Sequence, residues 1–331
     1  MAGRRRKKSG GRSYAWRYRG RIVACVFVEV IIICALVIMI GWNKGVKEWF
    51  EQFEQPVLKE VDISGINSPN AILMQARGGK ILGEINGEAQ IYPASMTKIM
   101  TVILGIENFD DLDEKITLTD EMFSGLYEQD ATQAGFQPGE EVRVIDLLYG
   151  AMLPSGAECC IALADTISGS EADFAELMNK KAGKLGMENT HFCDSTGLHN
   201  PDHYSTVKDI AVLMKYCIKN DTFREIVETS RHSTGVTNIH PDGITYYSTM
   251  FKNLSDPTVT GGKILGGKTG YTSEAGHCLV SFAEIEGREY IFVSAGASGA
   301  DGNTIPHIQD AVTVYNRVGA AIEEKMNDNN K

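Results

Sequence analysis

Apolar positions follow three different rhythms along the chain. Residues 22–42 form one near-continuous run, IVACVFVEVIIICALVIMIGW, long enough as a helix to cross a hydrocarbon core about 30 Å thick. From 144 to about 220, apolar residues recur at i, i+3 and i+4 through VIDLLYGAML, AECCIALADTI, EADFAELMNKKAGKLG and TVKDIAVLMKYCIKN. That period predicts helices, the first two parted by LPSG at 153–156. On either side the rhythm shortens. AILMQA, RGGK and ILGEI predict a hairpin on a Gly-Gly turn, and KITLT a short strand. Beyond 244, TYYSTMF, KILGGKTG, HCLVSFAEI and REYIFVSAG predict further strands, the last two joined at Glu286-Gly287. IQDAVTVYNRVGAAIEE predicts a closing amphipathic helix. Strands at both ends with helices between them imply an α+β domain over 65–325: one antiparallel sheet assembled from distant segments and covered by helices.

Charge gives the apolar run its meaning. The 331 residues carry a net charge of −11, with 43% apolar and 23% charged residues, ordinary values for a globular chain. Residues 1–21, however, hold nine Arg or Lys and no acid, so +9 in the tail leaves −20 on the rest. A cleaved secretory signal would be shorter in its apolar part and end at a small-x-small site, whereas NKGVKEWFEQF follows here. Ile22-Val23-Ala24-Cys25 loosely resembles a lipoprotein processing site but opens the run instead of closing it. The expectation is an uncleaved transmembrane anchor at 22–42, a cytoplasmic tail at 1–21 and a stalk at 43–64, with the remainder outside by the positive-inside rule. Trp42, Trp49 and Phe50 suit the outer interface. Glu29 is the one acid in the span, a residue that could snorkel or meet a partner helix. The basic tail serves topology and anionic lipid, so no nucleic-acid partner is expected.

Seven cysteines do not make a disulfide framework. Cys25 and Cys34 lie in the span, and the five beyond it, Cys159, Cys160, Cys193, Cys217 and Cys278, are odd in number and irregular in spacing. They read as small buried apolar residues.

The candidate chemistry begins at PASMTKIMT, residues 93–101. At i and i+3 on a helix, Ser95 and Lys98 share a face, and a first-turn serine sits near the positive helix end. A neutral lysine there could take the hydroxyl proton. Equally, Ser95 could cap a helix and Lys98 be solvated, and nine residues do not separate the two. Two further segments do. LPSGAE places Ser155 on a loop between helices. GGKTGYTSEAG places Lys268 and Thr269 on a strand edge flanked by glycines, where an anionic ligand can approach the backbone. S-x-x-K, Ser-Gly-x and K-T-G stand in that order, 60 and 113 residues apart.

With MLPSGAECCIALAD and STGLHNPDHYST, these segments resemble the low-molecular-weight penicillin-binding proteins, the serine D-Ala-D-Ala carboxypeptidases, over about residues 65–300. The resemblance implies an antiparallel five-stranded sheet flanked by helices, with an all-helical subdomain. It also implies that Ser95 attacks the carbonyl between the terminal D-alanines of a peptidoglycan stem peptide, that Lys98 activates it and that Ser155 relays the proton to the leaving amine. Lys268 and Thr269 would hold the substrate carboxylate, beside Gly270, and the backbone N–H groups of Ser95 and Tyr271 would form the oxyanion hole. β-Lactam antibiotics would acylate Ser95 in the same way; no metal or cofactor is implied. One position departs. The second motif usually ends in asparagine, and here Ala157 stands in its place, so an impaired enzyme or a scaffold of the cell envelope is the alternative. A β-lactamase would need a deacylating carboxylate, and no E-x-x-L-N segment occurs between 160 and 200. A zinc peptidase would need clustered histidines, but Asn200-Pro201 between His199 and His203 disfavours a ligating helix.

Overall fold

The structure is a computed structural model that describes residues 58–254, 256–299 and 305–329. The expected tail, anchor and most of the stalk lie outside them; among the described residues, no helix is long and apolar enough to cross a membrane.

AILMQ and ILGEI form the expected hairpin, β1 (Asn70–Gln75) and β2 (Ile81–Ile85). A 3₁₀ turn at Ala94–Thr97 then feeds α1 (Lys98–Asn108). After β3 (Lys115–Thr117) and β4 (Glu141–Arg143) come the helices α2 (Val144–Met152), α3 (Ala157–Ser168), α4 (Glu171–Leu185), α5 (Val207–Cys217) and α6 (Asp221–Glu228). The breaks follow local chemistry. Gly169 closes α3 in the left-handed conformation, and Ser170 accepts from the Asp173 N–H to open α4. Thr206 and Asn220 cap α5 and α6 in the same manner. The last third holds β5 (Arg231–Ser233), β6 (Thr245–Tyr247), α7 (Thr249–Asn253), β7 (Thr258–Val259), β8 (Gly262–Thr272), β9 (Gly276–Ile285), β10 (Arg288–Ala297) and α8 (Pro306–Asn329).

The main sheet is antiparallel in the order β2-β1-β10-β9-β8-β7, so the N-terminal hairpin joins the C-terminal strands. It has six strands where five were expected; the sixth is the two-residue β7, which pairs only with Gly262 and Lys263. That leaves the rest of β8 hydrogen-bonded on one side, to β9. TYYSTMF is not one strand. Ser248 accepts from the Phe251 N–H and turns its second half into α7. Helix α6 carries no counterpart in the sequence reading.

Both faces of the sheet are covered, which is why its strands read as nearly continuous apolar runs. Ile72, Met74, Val280, Phe282, Ile291 and Val293 pack into the helical body. Ala71, Leu73, Leu279, Ala283 and Phe292 face Val314, Tyr315 and Val318 of α8. Every residue from Lys98 to Gly105 is buried, so α1 runs through the middle of the helical body. The nucleophile candidate therefore stands in the turn that leads into a buried helix.

Candidate active site

Ser95 stands in the 3₁₀ turn that precedes α1 and Lys98 is the first residue of the helix proper. Tight 3₁₀ winding nearly eclipses i and i+3, and Lys98 Nζ donates to Ser95 Oγ at 3.1 Å. Ser95 is half-buried and reachable, while Lys98 is buried. A second bond from Lys98 Nζ, 2.6 Å long, goes to the carbonyl of Thr196.

Across from this turn runs β8. Gly270 is the closest approach. A Cβ there would lie 3.0 Å from the Ser95 backbone nitrogen and 3.1 Å from the Ala94 Cβ, so a side chain at 270 would crowd the nucleophile turn. Lys268 is buried on the same strand and donates to Ser155 Oγ at 3.0 Å and to the Thr269 carbonyl at 2.8 Å. Thr269 Oγ1 is 2.7 Å from Thr249 Oγ1, which steadies its hydroxyl. Tyr271, next along, is exposed, and its ring lies 4.6 Å from that of His277. Beyond it an open cavity of about 430 Å³ continues along the strand end, lined by Gln129, Asp130, Leu198, His199 and residues 271–274.

Ser155 lies on the loop between α2 and α3, as the LPSG segment predicts. It is buried and adopts φ +72°, a left-handed conformation that serine rarely takes. Ala94, beside the nucleophile, has φ +46°. Two strained non-glycine residues within one cluster of catalytic candidates fit the tendency of functional sites to hold strain. Ala157 opens α3, buried, with its N–H donated to the Thr132 carbonyl at 2.8 Å. Glu158 points away from Ser95: its Oε1 accepts from the N–H groups of Ala134 and Gly135.

Electrostatics give the site its character. Among the described residues neither Lys98 nor Lys268 is paired with a carboxylate. Burial first, and then the charge of Lys98, push the Lys268 ammonium well below its ordinary value. The thiol of Cys160, near both lysines, is pushed up to about 12 by burial, so it offers them no counter-charge. The five cysteines beyond the apolar run are unpaired, and Cys159, Cys160, Cys217 and Cys278 are buried.

The structure thus brings together Ser95, Lys98, Ser155, Lys268, Thr269 and Gly270, with Tyr271 at the rim. His199 and His203 turn to different partners, Tyr92 and Thr97. The sequence reading missed Thr196 and Thr249, which act through a carbonyl and a hydroxyl and carry no spacing signature. It also assigned no role to Asp194, which directly precedes the quoted STGLHNPDHYST segment.

Comparison with known proteins gives a consistent set. The family described as D-alanyl-D-alanine carboxypeptidase (Peptidase_S11) matches residues 57–299. The D-alanyl-D-alanine carboxypeptidase DacF of Bacillus subtilis is 35% identical over 231 residues, covering 69% of this chain and 57% of that protein. DacC of Escherichia coli is 33% identical over 262 residues, with 72% and 58% covered. This chain therefore spans a little under three fifths of each. The Streptomyces K15 DD-transpeptidase crystal structure aligns with a TM-score of 0.69 at 29% identity, covering 79% of this chain and 100% of that one.

Proposed function

The chain belongs to the D-alanyl-D-alanine carboxypeptidase family, peptidase family S11, and from that membership we propose that it trims the terminal D-alanine from peptidoglycan stem pentapeptides. The observation that carries this reading is the pairing of Ser95 Oγ with Lys98 Nζ at 3.1 Å opposite a second buried lysine that lacks a carboxylate partner. Such a site is short of one negative charge, and a peptide C-terminus supplies it.

Lys98, as the neutral amine, takes the Ser95 proton as Oγ attacks the carbonyl between the two D-alanines. The tetrahedral oxyanion turns toward the backbone N–H groups of Ser95 and Tyr271, a contribution of roughly 3 kcal/mol per donor in comparable sites. Ser155 passes a proton to the departing amine, and D-alanine leaves. Water then hydrolyses the ester on Ser95. Lys268 and Thr269 hold the substrate carboxylate on the free side of β8, and the rest of the stem peptide follows the strand towards the cavity beyond Tyr271. A β-lactam follows the same first step and stays on Ser95.

The +9 tail and the apolar run at 22–42 support placing the protein in the bacterial cell membrane, with the N-terminus in the cytoplasm and the catalytic domain outside, within reach of peptidoglycan. A second acceptor is favoured by one likeness: the Streptomyces K15 neighbour is a DD-transpeptidase, so an amine could compete with water for the acyl group.

Incubating the purified protein with a pentapeptide, with and without an added amino acceptor, tests this. Release of D-alanine with a tetrapeptide product supports the carboxypeptidase, and a cross-linked product the transfer. With benzylpenicillin, a long-lived adduct is expected; fast turnover would make the protein a β-lactamase. Neither D-alanine release nor an adduct would leave a scaffold.

A further inference from the structure

Behind the nucleophile turn, a set of polar groups that the hydrolysis does not use lines up in the core. Thr97, between Ser95 and Lys98, is buried with its hydroxyl 2.9 Å from His203 Nε2. His203 is 2% exposed, and its Nδ1 lies 3.1 Å from Asp194 Oδ2. The Cys193 N–H approaches the same nitrogen at 3.2 Å, but a carboxylate is a pure acceptor and the stronger partner. The proton of the neutral ring therefore sits on Nδ1, and Nε2 accepts from the Thr97 hydroxyl.

The other oxygen of Asp194 is engaged as fully. Oδ1 accepts from the Thr196 N–H and hydroxyl, both at 2.7 Å, and from the Gly197 N–H at 2.6 Å. Those three bonds shape the turn whose Thr196 carbonyl receives Lys98 Nζ at 2.6 Å. Its neighbour Gly197 has φ +79°, and a Cβ there would fall 1.9 Å from the Ala94 carbonyl oxygen, so the turn is seated directly on the one carrying Ser95. One carboxylate thus reaches the Ser95–Lys98 pair by two routes: through His203 to the Thr97 hydroxyl of the turn, and through the Thr196 carbonyl to Lys98 Nζ. Burial alone would raise the Asp194 carboxyl, but the hydrogen bond from His203, with the Thr196 and Gly197 donors, holds it below the ordinary carboxylate range.

We propose that Asp194 and His203 are the positioning pair of this site: through Thr97 and the Thr196 carbonyl they set the placement of Lys98 Nζ against Ser95 Oγ. This rests on the reading of Ser95 as the nucleophile. Neither residue touches the substrate; both act on the geometry of the groups that do. The arrangement makes a specific demand. The Thr97–His203 bond matters as a unit, so losing either partner loses the same thing.

The test is the rate at which a fluorescent penicillin acylates the full chain, resolved into the non-covalent binding constant and the covalent step. Each rate is normalised to the folded fraction from a thermal melt. Thr97→Val, nearly isosteric, and His203→Ala should each slow the covalent step on the order of 10- to 100-fold, the cost of a misplaced reacting pair, with the binding constant little changed. The double variant should be no slower than the slower single one. His203→Gln, whose amide oxygen can accept from Thr97, should recover most of the rate. Singles that acylate at the wild-type rate per folded molecule, or a double variant whose losses multiply, would overturn the pair while leaving Ser95 as nucleophile. A wild-type chain that takes no label would overturn the nucleophile reading and this inference together.

Discussion

Lys98 and Lys268 each donate to a serine hydroxyl and to a main-chain carbonyl, at Ser95 and Thr196 for one and at Ser155 and Thr269 for the other. Burial, with Lys98 beside it and no carboxylate partner among the described residues, drives the Lys268 ammonium down. A substrate carboxylate arriving beside Lys268 reverses that: the ammonium gains its partner and a proton is taken up on binding. The sign follows. Affinity for a D-Ala-terminated peptide should strengthen as pH falls from the ordinary lysine range towards neutrality, while the C-terminal amide of the same peptide should show no such gain. Competition of both peptides against labelled penicillin over pH 6.5 to 10 checks this; parallel profiles would remove Lys268 as the carboxylate holder. Ser155 yields a sharper case. At φ +72° any Cβ costs about 1 kcal/mol or more, so Ser155→Gly should melt a few degrees above Ser155→Ala. Both should acylate at least 10-fold more slowly than wild type, because the hydroxyl is gone. A glycine variant with wild-type acylation would deny that hydroxyl a role. Ser95, Lys98, Ser155 and Lys268 were legible in sequence because each sits in a short motif. The Thr97–His203 contact joins residues 106 apart and leaves no local trace, so His203 read only as a loop histidine.

At the scale of elements, the site is a seam between three pieces: the 3₁₀ turn before α1, the loop between α2 and α3, and the side of β8 left unpaired beyond the two-residue β7. Gly197 keeps a fourth piece pressed against the first. Gly197→Ala should cost about 3–5 kcal/mol and abolish penicillin labelling, since its methyl must displace the Ala94 carbonyl. Gly169→Ala, also at positive φ but with nothing within 4 Å of its Cβ, should cost only about 1 kcal/mol and label normally. Equal melting points for the two would contradict the close packing of the turns. Periodicity found the long elements well, because α3 closes on Gly169, α4 and α5 open on their own side-chain caps, and the central strands are apolar on both faces. It failed where two residues decide. Ser248 breaks TYYSTMF into β6 and α7 with a single cap, and β7 is too short to have a period at all.

For the molecule as a whole, the chain ends matter as much as the motifs. Asp310 on α8 accepts from the backbone and side chains of Asn67 and Ser68, and Arg317 donates to the Asp62 and Ser64 carbonyls. The segment leading into β1 is thereby fastened to the last helix, and β1 to β10 in the sheet. An insertion pattern of this kind could be inferred from strands at both ends of the sequence, though which strand neighbours which could not, since pairing order depends on contacts across more than 200 residues. In the proposed reaction, Ser95 is the nucleophile. Mass spectrometry of the protein after exposure to benzylpenicillin, with peptide mapping of the adduct, tests that most directly. A single penicilloyl group on the peptide containing PASMTK, at Ser95 and absent from Ser95→Ala, is the result predicted; an adduct on any other residue, or one that persists in Ser95→Ala, would contradict it.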